Sequence, residues 1–151
     1  MKHLYIILFI LPLIGFGQGW EMTYSLPIGD GNGQGWSVEQ TIDGGYVVVG
    51  MTSPFSPNSS GFILKTDENG EEEWVNVEPY FPIFDCQTTI GGGYLVGGIM
   101  DLDTGWTLVL QNIDSQGNTL WWEFYDEVDV GMFSIISIQQ TNDGGYIINV
   151  G

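Results

Sequence analysis

Gln40-Thr41-Ile42-Asp43-Gly44-Gly45-Tyr46-Val47-Val48-Val49-Gly50 decides how this chain is read, because the same phrase returns twice. It recurs as Thr88-Thr89-Ile90-Gly91-Gly92-Gly93-Tyr94-Leu95-Val96-Gly97-Gly98 and as Gln140-Thr141-Asn142-Asp143-Gly144-Gly145-Tyr146-Ile147-Ile148. The three tyrosines stand 48 and then 52 positions apart, so one supersecondary unit is reused along the chain.

Each unit reads as four strands. Trp36–Ile42 alternates apolar and polar positions, Asp43-Gly44-Gly45 supplies the positive φ angles of a tight hairpin, and Tyr46–Val49 is a nearly continuous apolar return strand. A variable loop follows, Met51–Ser60 in the first unit and the shorter Met100–Thr104 in the second. Phe62–Thr66 is the third strand, and Asp67-Glu68-Asn69-Gly70 turns it into a fourth beginning near Trp74. The second unit repeats this as Thr107–Ile113, Asp114-Ser115-Gln116-Gly117 and Trp121. In both copies Asp binds the turn amides and Gly takes the left-handed conformation.

Trp20-Glu21-Met22-Thr23-Tyr24 resembles those fourth strands yet precedes the first full unit. An orphan fourth strand over 20–26 is what a circular array needs, because it completes the last blade and hides two sheet edges. The units are then repeat 1 over 36–80, repeat 2 over 84–126 and a partial repeat 3 over 133–151. The expected fold is all-β, a β-propeller-like array of four-stranded antiparallel blades with two full repeats and partial ends. Propellers have about 4 to 8 blades, so we expect a piece of a longer repeat protein with further copies downstream.

Residues 1–17 read as an export signal: Lys2 and His3, an apolar run from Leu4 to Ile14, then Gly15 and Gly17. The run is shorter than the roughly 20 residues that span a bilayer. Cleavage after Gly17 removes Lys2 and His3, leaving 19 acidic side chains facing Lys65 alone. Such a surface repels nucleic acid and anionic lipid and favours solubility. The expected location is outside the cell or on its surface, with no membrane insertion after cleavage.

The pattern resembles the DGGY-type β-propeller-like repeat proteins secreted by bacteria with type IX secretion. The likeness rests on Asp43–Tyr46, Gly92-Gly93-Tyr94, Asp143–Tyr146 and the Lys65-Thr66-Asp67 to Trp74 segment, and covers the chain from about Trp20 onward. It implies a secreted or surface repeat protein without assigned catalysis.

The chemistry available is narrow. Without residues 1–17 there is no histidine, which removes the usual base of Ser/His/Asp and Cys/His catalysis and the imidazole of common zinc sites. Glu39 and Asp85, one repeat position apart on first strands, are the candidate carboxylate pair of a glycan hydrolase; their plainer reading is outward-facing strand polarity. Asp101 and Asp103, in Asp101-Leu102-Asp103-Thr104-Gly105, are candidate calcium ligands, read alternatively as an Asp/Gly turn. Asp67–Glu71 offers similar hard oxygens. Trp106 and Trp122 are candidate sugar-stacking residues, with packing as the alternative. Neighbours on a strand point to opposite faces, so one of Trp121 and Trp122 is expected to be exposed. Gly29–Gly35 is read as a connector, since it precedes a strand and no helix follows to hold a phosphate. Cys86 aligns with Val38 and Ile138 and is expected to be a buried small hydrophobe. The resulting expectation is a non-enzymatic scaffold whose variable loops bind an extracellular protein or glycan, with a calcium- or sugar-dependent recognition module as the competing class.

Overall fold

Alternating apolar residues, punctuated at fixed intervals by Asp/Gly turns, commit the chain to short antiparallel strands, and the computed structural model shows ten of them among the described residues. It describes residues 21–27, 33–52, 59–103, 105–131 and 136–151. The expected signal peptide, Trp20, residues 28–32 and the 53–58 part of the first variable loop lie outside the described residues.

The first sheet is a meander of β1 (Gly33–Gln40), β2 (Tyr46–Thr52), β3 (Gly61–Thr66) and β4 (Glu72–Glu78). The second repeats it with β5 (Ile83–Thr88), β6 (Tyr94–Leu102), β7 (Gly105–Ile113) and β8 (Thr119–Tyr125). The third is the hairpin of β9 (Ile136–Gln140) and β10 (Tyr146–Val150). Among the described residues there is no helix.

The repeated turn explains the hairpins in detail. In the first unit the Gly44 amide donates to the Thr41 carbonyl and the Thr41 amide to the Gly45 carbonyl, both at 2.9 Å. Only Gly44 takes a positive φ, +89°, so the expectation of positive angles along all of Asp43-Gly44-Gly45 is corrected. Gly45 is required for another reason. A Cβ there would lie 2.1 Å from the Thr66 carbonyl oxygen, so its absence lets β3 close over the turn. The Asp67 and Asp114 turns behave as expected: Asp67 Oδ1 accepts from the Asn69 and Glu71 amides at 2.8 Å, and Gly70 and Gly117 both sit at φ +85°.

Three boundaries differ from the sequence reading. The first strand starts at Gly33, inside the expected connector, and bulges at Trp36; β5 bulges at the equivalent Phe84, and the two rings meet edge to face at 5.5 Å. The expected loop Met100–Thr104 is mostly ladder, because β6 and β7 pair out to Leu102 and Gly105. Residues 21–26 form no strand, but the segment lies against the first sheet: Tyr24 Oη donates to the Gly70 carbonyl at 2.6 Å.

Sheet faces decide the core. Each meander leaves apolar residues on both faces, more than one layer can hide, so the sheets stack. Val47, Val49 and Ile63 meet Ile83, Cys86, Tyr94, Val96 and Val109 between the first and second sheets. Leu95, Ile99, Leu108 and Leu110 on the opposite face of the second sheet meet Ile136, Ile138 and Ile148 of the third. At about 1.5–3 kcal/mol per fully buried aliphatic side chain, these two interfaces dominate the favourable side of folding. The first strands lie in sequence, β5 against β1 and β9 against β5.

Candidate functional site

The junction of the three first strands is organised by one carboxylate. Asp85 follows the bulge at Phe84 and pairs with Gly97, while Ser37 pairs with Val49 and Ser137 with Asn149, so the three stand at one level of the repeat. Ser37 Oγ donates to Asp85 Oδ1 at 2.6 Å, and the Ile138 backbone N–H donates to Oδ2 at 2.7 Å. Asp85 thus spans all three sheets with both oxygens engaged.

Glu39 is level with Gln87, two residues beyond Asp85 on the same face, in keeping with the register that sets Cys86 level with Val38. Burial, and secondarily the charge of Asp85, raises the Glu39 pKa. Both Asp85 oxygens are occupied by donors that hold the sheets together, while Glu39 stands two residues further along the same face.

Lys65 lies at the other end of the first sheet. Its side chain is 1% exposed, and Nζ donates to Glu73 Oε2 at 2.7 Å and to the Thr66 carbonyl at 2.8 Å, with Asp43 Oδ2 at 3.0 Å. The partners remain open to solvent, at 56% and 45% exposure. Burial presses the Lys65 pKa down, but the hydrogen bonds it donates to Glu73 and Asp43, with their charges, outweigh it and the net direction is upward. The Thr41 hydroxyl, then Lys65, pulls Asp43 down to about 2. The second unit changes all three members together: Gly91, Asn112 and Leu120 stand where Asp43, Lys65 and Glu73 stand in the first.

The candidate calcium ligands fall at a hairpin tip. Asp101 is the penultimate residue of β6, directly opposite Trp106, and Asp103 sits in the turn between Leu102 and Gly105; both are exposed. Among the described residues no three His, Cys, Asp or Glu side chains converge as a metal-holding group. Asp67 is spent on the amides of its own turn.

The tryptophans divide differently from the expectation. Trp122 is half-buried, edge to face with Phe81 at 5.2 Å, and packs on the first core cluster; Trp106 is half-buried against the second. One of the adjacent pair is indeed exposed, and it is Trp121, at 40%. Trp121 lines a groove with Asn112, Asp114, Gln116, Gln140 and Tyr146. The equivalent Trp74 is covered: its ring lies 6.1 Å from that of Tyr94, its Nε1 donates to the Ser115 carbonyl at 3.3 Å, and Asn76 Nδ2 donates to the Gly117 carbonyl at 2.6 Å. Alternation along the strand pointed to an exposed indole but could not say which, because that depends on whether a neighbouring hairpin covers it.

Cys86 is 1% exposed, and burial pushes its thiol up to about 12, as the repeat register led us to expect of an inert core residue. Among the described residues no helix is long and apolar enough to cross a membrane. Compared with known proteins, the chain matches no family model, and no curated protein is similar to it at a significant level.

Proposed function

We propose that this chain is part of a non-enzymatic, exported scaffold in which four-stranded units stack in β-propeller fashion and present variable loops to an extracellular protein or glycan. The observation that carries this reading is the recurrence of one interface. Asn76 of the first unit caps the Gly117 carbonyl of the next, and Tyr24 of the N-terminal segment caps Gly70, the counterpart of Gly117. This matching hydrogen bond supports reading residues 21–27 as a stand-in for the fourth strand of a preceding unit, the role a closing ring requires.

The loops are where specificity belongs. Strand positions are tied to the repeat and to inter-sheet packing, whereas the connection after β2 and the hairpin after β6 differ in length and composition between units. Carboxylate chemistry is disfavoured because Asp85 is engaged on both oxygens. Membership of the DGGY-type secreted repeats remains part of this proposal, supported by the three Gly-Gly-Tyr hairpins.

The test is a ligand screen paired with a turnover assay. The exported protein is applied to glycan and extracellular-protein arrays, then incubated with a polysaccharide panel. Binding that is lost on replacing residues 53–58 with a Gly/Ser linker, without polysaccharide cleavage, supports the scaffold. Cleavage abolished by Glu39→Gln or Asp85→Asn replaces it with the hydrolase.

A further inference from the structure

The outer edge of β10 carries the marks of a third-strand seat. Among the described residues β10 pairs with β9 alone, whereas its counterparts β2 and β6 each pair on both edges. An unpaired strand edge offers a row of backbone donors and acceptors ready to take another strand.

Glycine spacing gives the second sign. Gly45 and Gly93 are needed because a Cβ would strike the Thr66 and Ile113 carbonyl oxygens of β3 and β7 at 2.1 and 2.2 Å. Gly145 occupies the same position, yet a Cβ there would meet only Thr141 Oγ1 at 3.0 Å and Asp143 Oδ1 at 3.4 Å within its own turn. The room that Gly145 leaves is the room a third strand uses in the other two units.

Charge names what the strand carries. Asp43 is paired with Lys65, and where the second unit has Gly91 it also has Asn112 in place of the lysine. The third unit is of the first kind: Asp143 accepts from Thr141 Oγ1 and the Gly145 amide, as Asp43 does from Thr41 and Gly45, but no cation reaches it among the described residues. The groove beside Trp121 completes the seat, since the indole covered by the Ser115 turn in the first interface is left open in the second.

Resting on the stacked-array reading above, we propose that the outer edge of β10 and the Trp121 groove are a docking surface for one occupant, a β-hairpin of the repeat's own third-and-fourth-strand pattern. Its first strand pairs antiparallel with β10 and places a lysine opposite Ile147, as Lys65 lies opposite Val47, so that the ammonium reaches Asp143. Its Asp-x-x-Gly turn sets a carbonyl on Trp121 Nε1.

The experiment extends the full chain after Gly151, through a Gly/Ser linker, with a copy of Ser59–Pro79, and follows backbone hydrogen exchange residue by residue. Exchange of the β10 amides that point away from β9 slows by at least about tenfold relative to the unextended chain. A copy carrying Lys65→Met loses about tenfold of that protection, the loss of one charge-assisted hydrogen bond, and in an Asp143→Asn background the same change has no further effect. Unchanged β10 exchange, with the β9–β10 ladder still protected, overturns the docking surface. Equal protection by the lysine and methionine copies overturns the lysine assignment and leaves the array standing. The array itself fails on a separate signal: free exchange of the Ile138 amide in the unextended chain means that the third sheet is not seated on the second.

Discussion

Ser37 and Asp85 occupy the same repeat position on successive first strands, and the hydroxyl of one donates to the carboxylate of the other at 2.6 Å. Because the second carboxylate oxygen takes the Ile138 amide from the third sheet, a single side chain registers three layers that hydrophobic contact alone would allow to slide. Apolar packing sets how strongly the layers adhere, and this bridge sets where.

Asp85→Ala removes both acceptors and leaves the Ile138 amide without its partner. With hydrogen bonds to charged groups at about 1.5–3 kcal/mol each, and not fully additive, unfolding in urea should show a loss of about 2–4 kcal/mol. Asp85→Asn keeps one carbonyl oxygen and should lose about half as much. An unmoved midpoint for Asp85→Ala would mean that the bridge contributes nothing.

Lys65, Asp43 and Glu73 should behave as a set. Lys65→Asn alone leaves two carboxylates facing each other beside a poorly filled pocket, at a cost of about 2–4 kcal/mol. Adding Asp43→Gly and Glu73→Leu installs the combination found in the second unit and should recover more than half of that loss. Asp43 is depressed to about 2, so its contribution is present above its ordinary value near 3.8 and fades as pH falls toward 2. Lys65 is raised, so its contribution persists until pH climbs above the lysine range. Thermal melts should therefore show acid sensitivity between pH 4 and pH 2 that Asp43→Asn reduces; because Asp43 is open to solvent the effect is small.

Alanine substitutions at the three matching glycines should separate sharply. Gly45→Ala and Gly93→Ala drive a methyl into the carbonyls of β3 and β7, costing about 3 kcal/mol or more. Gly145→Ala meets only its own turn and should stay within about 1 kcal/mol. Equal destabilisation at all three positions would show that the clash with a third strand is not what selects glycine.

Glu39 has the opposite pH sign from Asp43. Its folded pKa is raised, so the folded state holds the proton more tightly and stability is lost as pH rises through the ordinary glutamate value and then the folded one. Glu39→Gln should raise the melting temperature at pH 7 by about 2 °C. The advantage should disappear below about pH 4, where the carboxyl is protonated in both states. A gain that persists unchanged at pH 3 would assign the effect to packing instead.

Cys86 should be silent until the chain opens. A thiol pushed up to about 12 and 1% exposed presents almost no thiolate at pH 8, so alkylation should follow the unfolding curve in denaturant. Rapid labelling of the native protein would place Cys86 outside the core.

Much of the architecture could be read from the recurring hairpin phrase, because turn chemistry is local: Asp67 and Asp114 bind their own amides, and Gly44, Gly92 and Gly144 turn the chain whatever surrounds them. What escaped the sequence depends on the neighbour. The bulges at Trp36 and Phe84 break the simple alternation at the start of each first strand, and only the stacked sheets show that Asp85 reaches both Ser37 and the Ile138 amide. Trp122 and Trp121 exchanged roles because cover comes from Phe81 on one side and an open groove on the other. Lys65 stands beside the Asp67 turn in sequence, and only the fold brings Asp43, 22 residues away, over its tip.

The sealed position of Lys65 has a practical consequence for resistance to peptidases. Beyond residue 3 the polypeptide offers trypsin-like enzymes a single basic residue to recognise, and that residue sits mid-ladder with its stem enclosed and its tip clasped by two acids. The folded module is thus nearly invisible to that whole class of proteolysis.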